Sequence, residues 1–218
     1  MLSPLPDAIQ ESVITRPREE LVLTWANIVT AIRTVICVAL FAVATVRHSP
    51  TWNLVGLGVY WALDILDGYL ARRLKQETRL GAQFDILSDR LLVAFFYMNH
   101  LAWHHELVLP IALFMFQFML LDHFLSNQFL RWRLLSPNYF YLVEPTIWRL
   151  NWSVLAKIGN SGIATLLLVI GRAPLLATVA SVMLIAIKVY SLVRLFRVAS
   201  PESEWSAPRC ADVRWASR

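Results

Sequence analysis

Apolar runs of about twenty residues recur six times along the chain, each long enough to cross a bilayer as a helix. They fall at roughly 24–46, 51–71, 83–103, 107–130, 152–170 and 174–196. Local breakers mark the joins. Ser49-Pro50 precedes the second run, Gly171-Arg172 closes the fifth, and Pro174 starts the sixth. Trp52, Trp103, Trp132, Trp148 and Trp152 lie near run ends, where interfacial aromatics belong. The pattern predicts an all-α polytopic membrane protein with six transmembrane helices. Residues 22–198 form the membrane domain, 1–21 an N-terminal arm, and 199–218 a polar C-terminal tail. Leu2, Leu5, Ile9 and Val13 stand among charges in the arm, as in a helix lying on a membrane surface; a partly disordered arm is the alternative.

Composition agrees with this picture. The 218 residues are 57% hydrophobic and only 16% charged, too little charge for a soluble domain of this length. The formal net charge of +5 reads as membrane topology rather than as nucleic-acid binding. If both termini are cytoplasmic, fourteen Lys and Arg residues fall on that side, and only Arg47 and Arg172 on the other. A bacterial inner membrane fits that orientation. Asp7, Glu11, Glu19 and Glu20 do not suit a secretory leader. Cys37 and Cys210 make neither a disulfide framework nor a thiolate metal spacing.

The informative residues are the charges a membrane should exclude. Asp64 and Asp67 lie in the second run; Asp85, Asp89 and Arg90 lie in the third. Arg33, Asp122, His123 and Lys157 lie in other runs. Each is costly unless it faces a cavity, a partner or an ion. Asp64 precedes Arg72 by eight residues, so it sits roughly 12 Å inside the cytoplasmic end. The outer halves of the runs hold no Asp, Glu, Lys or Arg, so six helices should enclose one polar cavity open to the cytoplasm.

Spacing sharpens the site. Asp64 and Asp67 are i and i+3, Asp85 and Asp89 are i and i+4, so each pair projects from one helix face. Four bare carboxylates would repel one another, and one or two divalent ions would remove that problem. All-oxygen ligation without Cys or His favours Mg²⁺ or Mn²⁺ over zinc. The alternative is structural charge paired with Arg33, Arg72 and Arg90. Gly68 and Ala71 leave room beside the Asp face, Arg72 follows, and Gly81 begins the return to Asp85. Carboxylates, metal and arginine beside small residues suit a diphosphate.

Written out, Asp64-x2-Asp67-Gly68-x2-Ala71-Arg72-x8-Gly81-x3-Asp85-x3-Asp89 resembles the signature of the CDP-alcohol phosphatidyltransferase family at every fixed position and gap. Asn27-x2-Thr30-x2-Arg33 is similar to members that make phosphatidylglycerol phosphate. The resemblance implies two metal ions on Asp64, Asp67, Asp85 and Asp89. It implies a cytidine diphosphate site lined by Gly68, Ala71, Arg72 and Gly81 together with Asp64 and Asp85, and Asp89 as general base. Its substrates would be CDP-diacylglycerol, reached from membrane lipid, and a small alcohol acceptor; a homodimer is also implied.

For the acceptor, the cations available are Arg131, Arg133, Arg149 and Lys157, with Arg33 deeper. The first three also satisfy topology by themselves. Asp85-Ile86-Leu87-Ser88-Asp89 resembles the glycerophosphate and cardiolipin branches in outline, but departs from their Asp-Pro-x-Ala-Asp form. Phe129-x-Arg131-x-Arg133 is similar instead to members that use inositol phosphate. Glycerol 3-phosphate is favoured slightly, with inositol, inositol phosphate and phosphatidylglycerol as alternatives. A metal transporter and a catalytically silent relative are the non-enzyme readings. Lys188 is expected to snorkel to the interface, and His100, His104 and His105 to sit in a wet outer loop. Asp122 with His123 would either polarise the acceptor or satisfy a neighbouring helix.

Overall fold

A computed structural model describes residues 23–132, 134–171 and 173–198. The proposed arm at 1–21 and tail at 199–218 lie outside the described residues. All the elements among those residues are helical: α1 (Trp25–Val46), α2 (Pro50–Arg73), α3 (Arg79–Trp103), α4 (His105–Trp132), α5 (Pro145–Val169) and α6 (Pro174–Leu195). A short 3₁₀ turn, Pro137–Leu142, lies between α4 and α5.

The ends follow local chemistry. Thr24 caps α1 by accepting from the Asn27 amide at 3.1 Å, and Thr78 caps α3 by accepting from the Gly81 amide at 3.0 Å. Pro50 and Pro174 occupy first-turn positions, where the missing N–H costs nothing. Lys75, at φ 53°, closes the turn after α2 in the left-handed region.

Five helical segments, α1, α2, α4, α5 and α6, are long and apolar enough to cross a membrane. At 25 residues α3 has the length, but Asp85, Asp89 and Arg90 dilute its apolarity. The predicted runs match these segments within a few residues, except that α5 starts at Pro145 rather than near 152.

The first three helices are regular; α4 and α5 are not. Helix α4 passes through a π turn at Gln117–Asp122 and ends in a 3₁₀ turn. Helix α5 breaks near Trp152 and holds a second π turn at Ile158–Ile163. A π turn shifts the facing of every side chain beyond it, which a simple 3.6-residue reading does not anticipate.

Packing divides the molecule lengthwise. Toward the end away from the 74–78 turn, Phe41, Leu57, Phe96, Tyr97, Phe114 and Leu168 form a core without charge. Gly56 is required there, because a Cβ would lie 2.5 Å from the Phe41 ring. Toward the other end, Leu125, Phe129, Trp132, Phe140 and Trp152 pack a second core beneath the α4–α5 connector. Outward-facing apolar side chains such as Val35, Ile65, Met98, Leu120 and Leu155 are exposed, as contact with hydrocarbon requires.

Candidate active site

Helix α1 supplies no acid to the site, yet it organises all four. The Arg33 guanidinium, with no exposed side-chain surface, lies 2.5 Å from Asp64, 3.0 Å from Asp67, 2.7 Å from Asp85 and 3.0 Å from Asp89. Thr30, one turn earlier, donates to Asp67 at 3.0 Å, and the Thr34 and Ser88 hydroxyls meet at 2.5 Å. The i, i+3 and i, i+4 spacings therefore bring the two pairs onto facing helix surfaces, as predicted.

Asp67 is buried, whereas Asp64, Asp85 and Asp89 are partly open. Asp64, Asp67 and Asp85 each offer an oxygen, all within 4.8 Å of one another. Even with Arg33 counted, four ionised carboxylates leave three net negative charges. An all-oxygen, anionic donor set fits a hard divalent cation such as Mg²⁺.

Two cavities meet at these acids. The first, about 320 Å³, is lined by Asp64, Asp67, Gly68, Ala71, Arg72, Gly81 and Asp85, which is the whole spaced motif except Asp89. Gly81 is needed for a close approach: a Cβ there would lie 2.5 Å from Asn27 Oδ1 and 2.9 Å from Thr78 Oγ1. The second cavity, about 290 Å³, runs deeper and is lined by Asp89, Arg90, Gln117, Asp122, Asn151 and Lys188. Asp64, Asp85, Ser136, Asn138 and Lys157 line both.

The deeper cavity rests on a buried ionic network that corrects one expectation. Lys188 does not snorkel. It is 1% exposed and donates to Asp122 at 2.6 Å and to Asn151 at 2.7 Å. The interior offers a carboxylate and an amide closer than any interface, so the ammonium turns inward. Arg90 meets the same carboxylate at 2.5 Å and lies over the Phe118 ring at 3.7 Å. Asp122 thus joins α3, α4 and α6, while His123 lines a separate apolar groove beside α1 and α3. His100 is likewise buried, stacked on Phe96 at 5.8 Å rather than sitting in a wet loop; His104 bonds Glu106 at 3.1 Å.

Among the acceptor candidates, Lys157 lines both cavities and donates to Asn138 at 2.8 Å. Arg33 lies among the aspartates, and Arg131 and Arg149 line neither cavity. Arg133 lies outside the described residues. The sequence reading missed Gln117, Asn138, Asn151 and Ser136. Gln117 and Asn151 interrupt apolar stretches, a signal that was there to use; Ser136-Pro137-Asn138 reads only as a turn. That connector is anchored by Tyr139, whose hydroxyl donates to Glu77 at 2.5 Å. Burial, and then the bond to Glu77, raise this phenol above its usual range, so the contact holds through neutral pH.

A family model described as CDP-alcohol phosphatidyltransferase matches residues 23–193. A CDP-diacylglycerol--inositol 3-phosphatidyltransferase of Candida albicans is 38% identical over 66 residues, which is 30% of this chain and 25% of that protein. The match therefore spans about a quarter of the length of that curated relative. No solved structure matches.

Proposed function

The chain belongs to the CDP-alcohol phosphatidyltransferase family, and from that premise we propose that it transfers a phosphatidyl group from CDP-diacylglycerol to a small polyol, releasing CMP. The observation that carries the reading is the meeting of two cavities at Asp64 and Asp85. A transfer between two substrates needs two compartments with one shared wall of reactive groups. A transporter needs a path to the opposite face, and that end of the bundle is packed by uncharged aromatics.

The first cavity takes the cytidine diphosphate. Gly68 and Ala71 leave room for its phosphates beside the Asp face, Gly81 lets the start of α3 close on Asn27 and Thr78, and Arg72 pairs with the phosphates. Two Mg²⁺ or Mn²⁺ ions held by Asp64, Asp67, Asp85 and Asp89 would neutralise the diphosphate and the charge on departing CMP. The second cavity takes the acceptor, whose reacting hydroxyl points at the shared wall. Asp89 accepts the hydroxyl proton. The freed oxygen attacks the phosphorus that bears diacylglycerol, and the bond from that phosphorus to the bridging oxygen breaks. The products are the phosphodiester lipid and CMP, with Arg72 and Lys157 holding the phosphates in line.

For the acceptor we place inositol first. The fungal relative's name points there, and both cations at the deep end are already paired with Asp122, which suits hydroxyls over a second phosphate. Glycerol 3-phosphate comes next, with Lys157 as the cation for its phosphate; inositol phosphate would use the same lysine. The basic residues at the α2–α3 turn and at the inner ends of α4–α6 support a six-span bundle with site and termini cytoplasmic, the acids of α3 being turned inward to Arg33. A homodimer would complete the assembly.

The test is CMP release from CDP-diacylglycerol by purified protein in detergent with Mg²⁺ or Mn²⁺, each acceptor offered separately. We expect release that depends on one acceptor, stops with EDTA and is lost in Asp89→Asn. Folded, metal-binding protein that releases no CMP with any acceptor would overturn the proposal in favour of a silent relative.

A further inference from the structure

Arg33 is the residue whose position the transfer chemistry leaves unexplained. It lines neither substrate cavity, and both its terminal nitrogens are engaged by carboxylates. We infer that Arg33 is a built-in counter-ion to the metal cluster: it holds the four aspartates together when the ions leave and limits how tightly the ions bind when present. The inference rests on the metal reading proposed above.

Three observations carry it. The guanidinium reaches all four acids from a helix that carries none, and it contacts only one oxygen of Asp64, of Asp85 and of Asp89. The second oxygen of each stays available as a ligand. The other intramembrane cations have different partners or positions: Arg90 and Lys188 meet Asp122, Lys157 meets Asn138, and Arg72 lines the nucleotide cavity. Finally, Arg33 has no exposed side-chain surface, so it cannot swing into water to make way for an ion. A fixed positive charge beside a dication repels it, and the same charge relieves the repulsion among bare carboxylates. Arg33 therefore trades metal affinity for a metal-free state that stays folded, so that ions can exchange with the nucleotide they accompany.

The test uses full-length protein in detergent with Arg33→Gln and Arg33→Lys. Mn²⁺ binding is read from the spin-resonance signal of free Mn²⁺, and unfolding temperature is read in EDTA and in Mn²⁺. Arg33→Gln should bind Mn²⁺ about tenfold more tightly than wild type, because a repelling charge is gone. Its unfolding temperature should fall in EDTA, and added Mn²⁺ should close the gap. Arg33→Lys, with a smaller head unable to reach four acids, should lie between on both readouts and decides the matter if Arg33→Gln is not recovered folded.

A merely structural arginine would lower stability and metal affinity together. Mn²⁺ affinity equal to or below wild type in the variants, or no loss of stability in EDTA, would therefore overturn the inference. A wild type that shows the expected pattern yet releases no CMP would overturn the transferase reading and leave the counter-ion role standing.

Discussion

The first three helices and the last three hold the same cavity walls by different means. Helices α1–α3 are uninterrupted, so helical spacing puts Asp64 with Asp67 and Asp85 with Asp89 on single faces, and the packing of α1 against both brings them to Arg33. Helices α4 and α5 are broken by two π turns and a bend, and their polar residues meet through a buried network around Asp122. On the proposed reading, the contrast separates where the two substrates would be recognised. An uninterrupted, regularly spaced half would suit a diphosphate and metal. An irregular half, whose side-chain facing changes with each π turn, would suit the acceptor.

If that division holds, substitutions in the two halves should separate in kinetics. The largest effect belongs to Asp85→Asn, which removes an acid common to both cavities. We expect CMP release to fall by about a thousandfold or more, as for loss of a group that stabilises transition-state charge. An unfolding temperature near that of wild type would confirm that the loss is chemical.

Lys188→Met comes next and tests the other half. It leaves Asp122 with Arg90 as its ionic partner, and breaking a buried pair costs about 3 kcal/mol. Unfolding in detergent should show that loss, while the KM for acceptor rises and the KM for CDP-diacylglycerol stays put. Equal rises in both would dissolve the distinction between halves. Adding Asp122→Asn should cost further stability, because buried Arg90 then loses its carboxylate, without restoring the acceptor KM.

Gly81→Ala probes the donor side more gently. Its methyl would press on the Asn27 and Thr78 side chains, both able to give a little, at a cost of about 1 kcal/mol for the weakened cap. The KM for CDP-diacylglycerol should rise several-fold, with the acceptor KM unchanged. Smallest of all is Tyr139→Phe, which deletes the Glu77 bond tying the α4–α5 connector to the α2–α3 turn, about 1 kcal/mol or less. Faster proteolysis of the connector, with CMP release within twofold of wild type, is the expected signature.

Most of the first half was legible without coordinates. Sustained apolar length located six helical segments, and the carboxylate spacings put each pair on one face, because period and rise are local properties of any helix. The second half was less so. Lys188 looked like a snorkelling residue since nothing within a few positions could pair with it; Asp122 lies 66 residues earlier in the chain. Asn138 and Ser136 looked like turn residues, and it is the fold of the connector that brings them over both cavities.

By itself, then, the sequence determined a helical membrane protein, its family and four aspartates on two adjacent helix faces. These follow from short-range periodicity and from the exclusion of charge by hydrocarbon. Only the tertiary structure decided which cation each carboxylate meets. Arg33 reaches into the motif from another helix, and Lys188 turns inward to Asp122. Such pairings depend on helix facing across the bundle, which π turns rotate and local spacing does not encode.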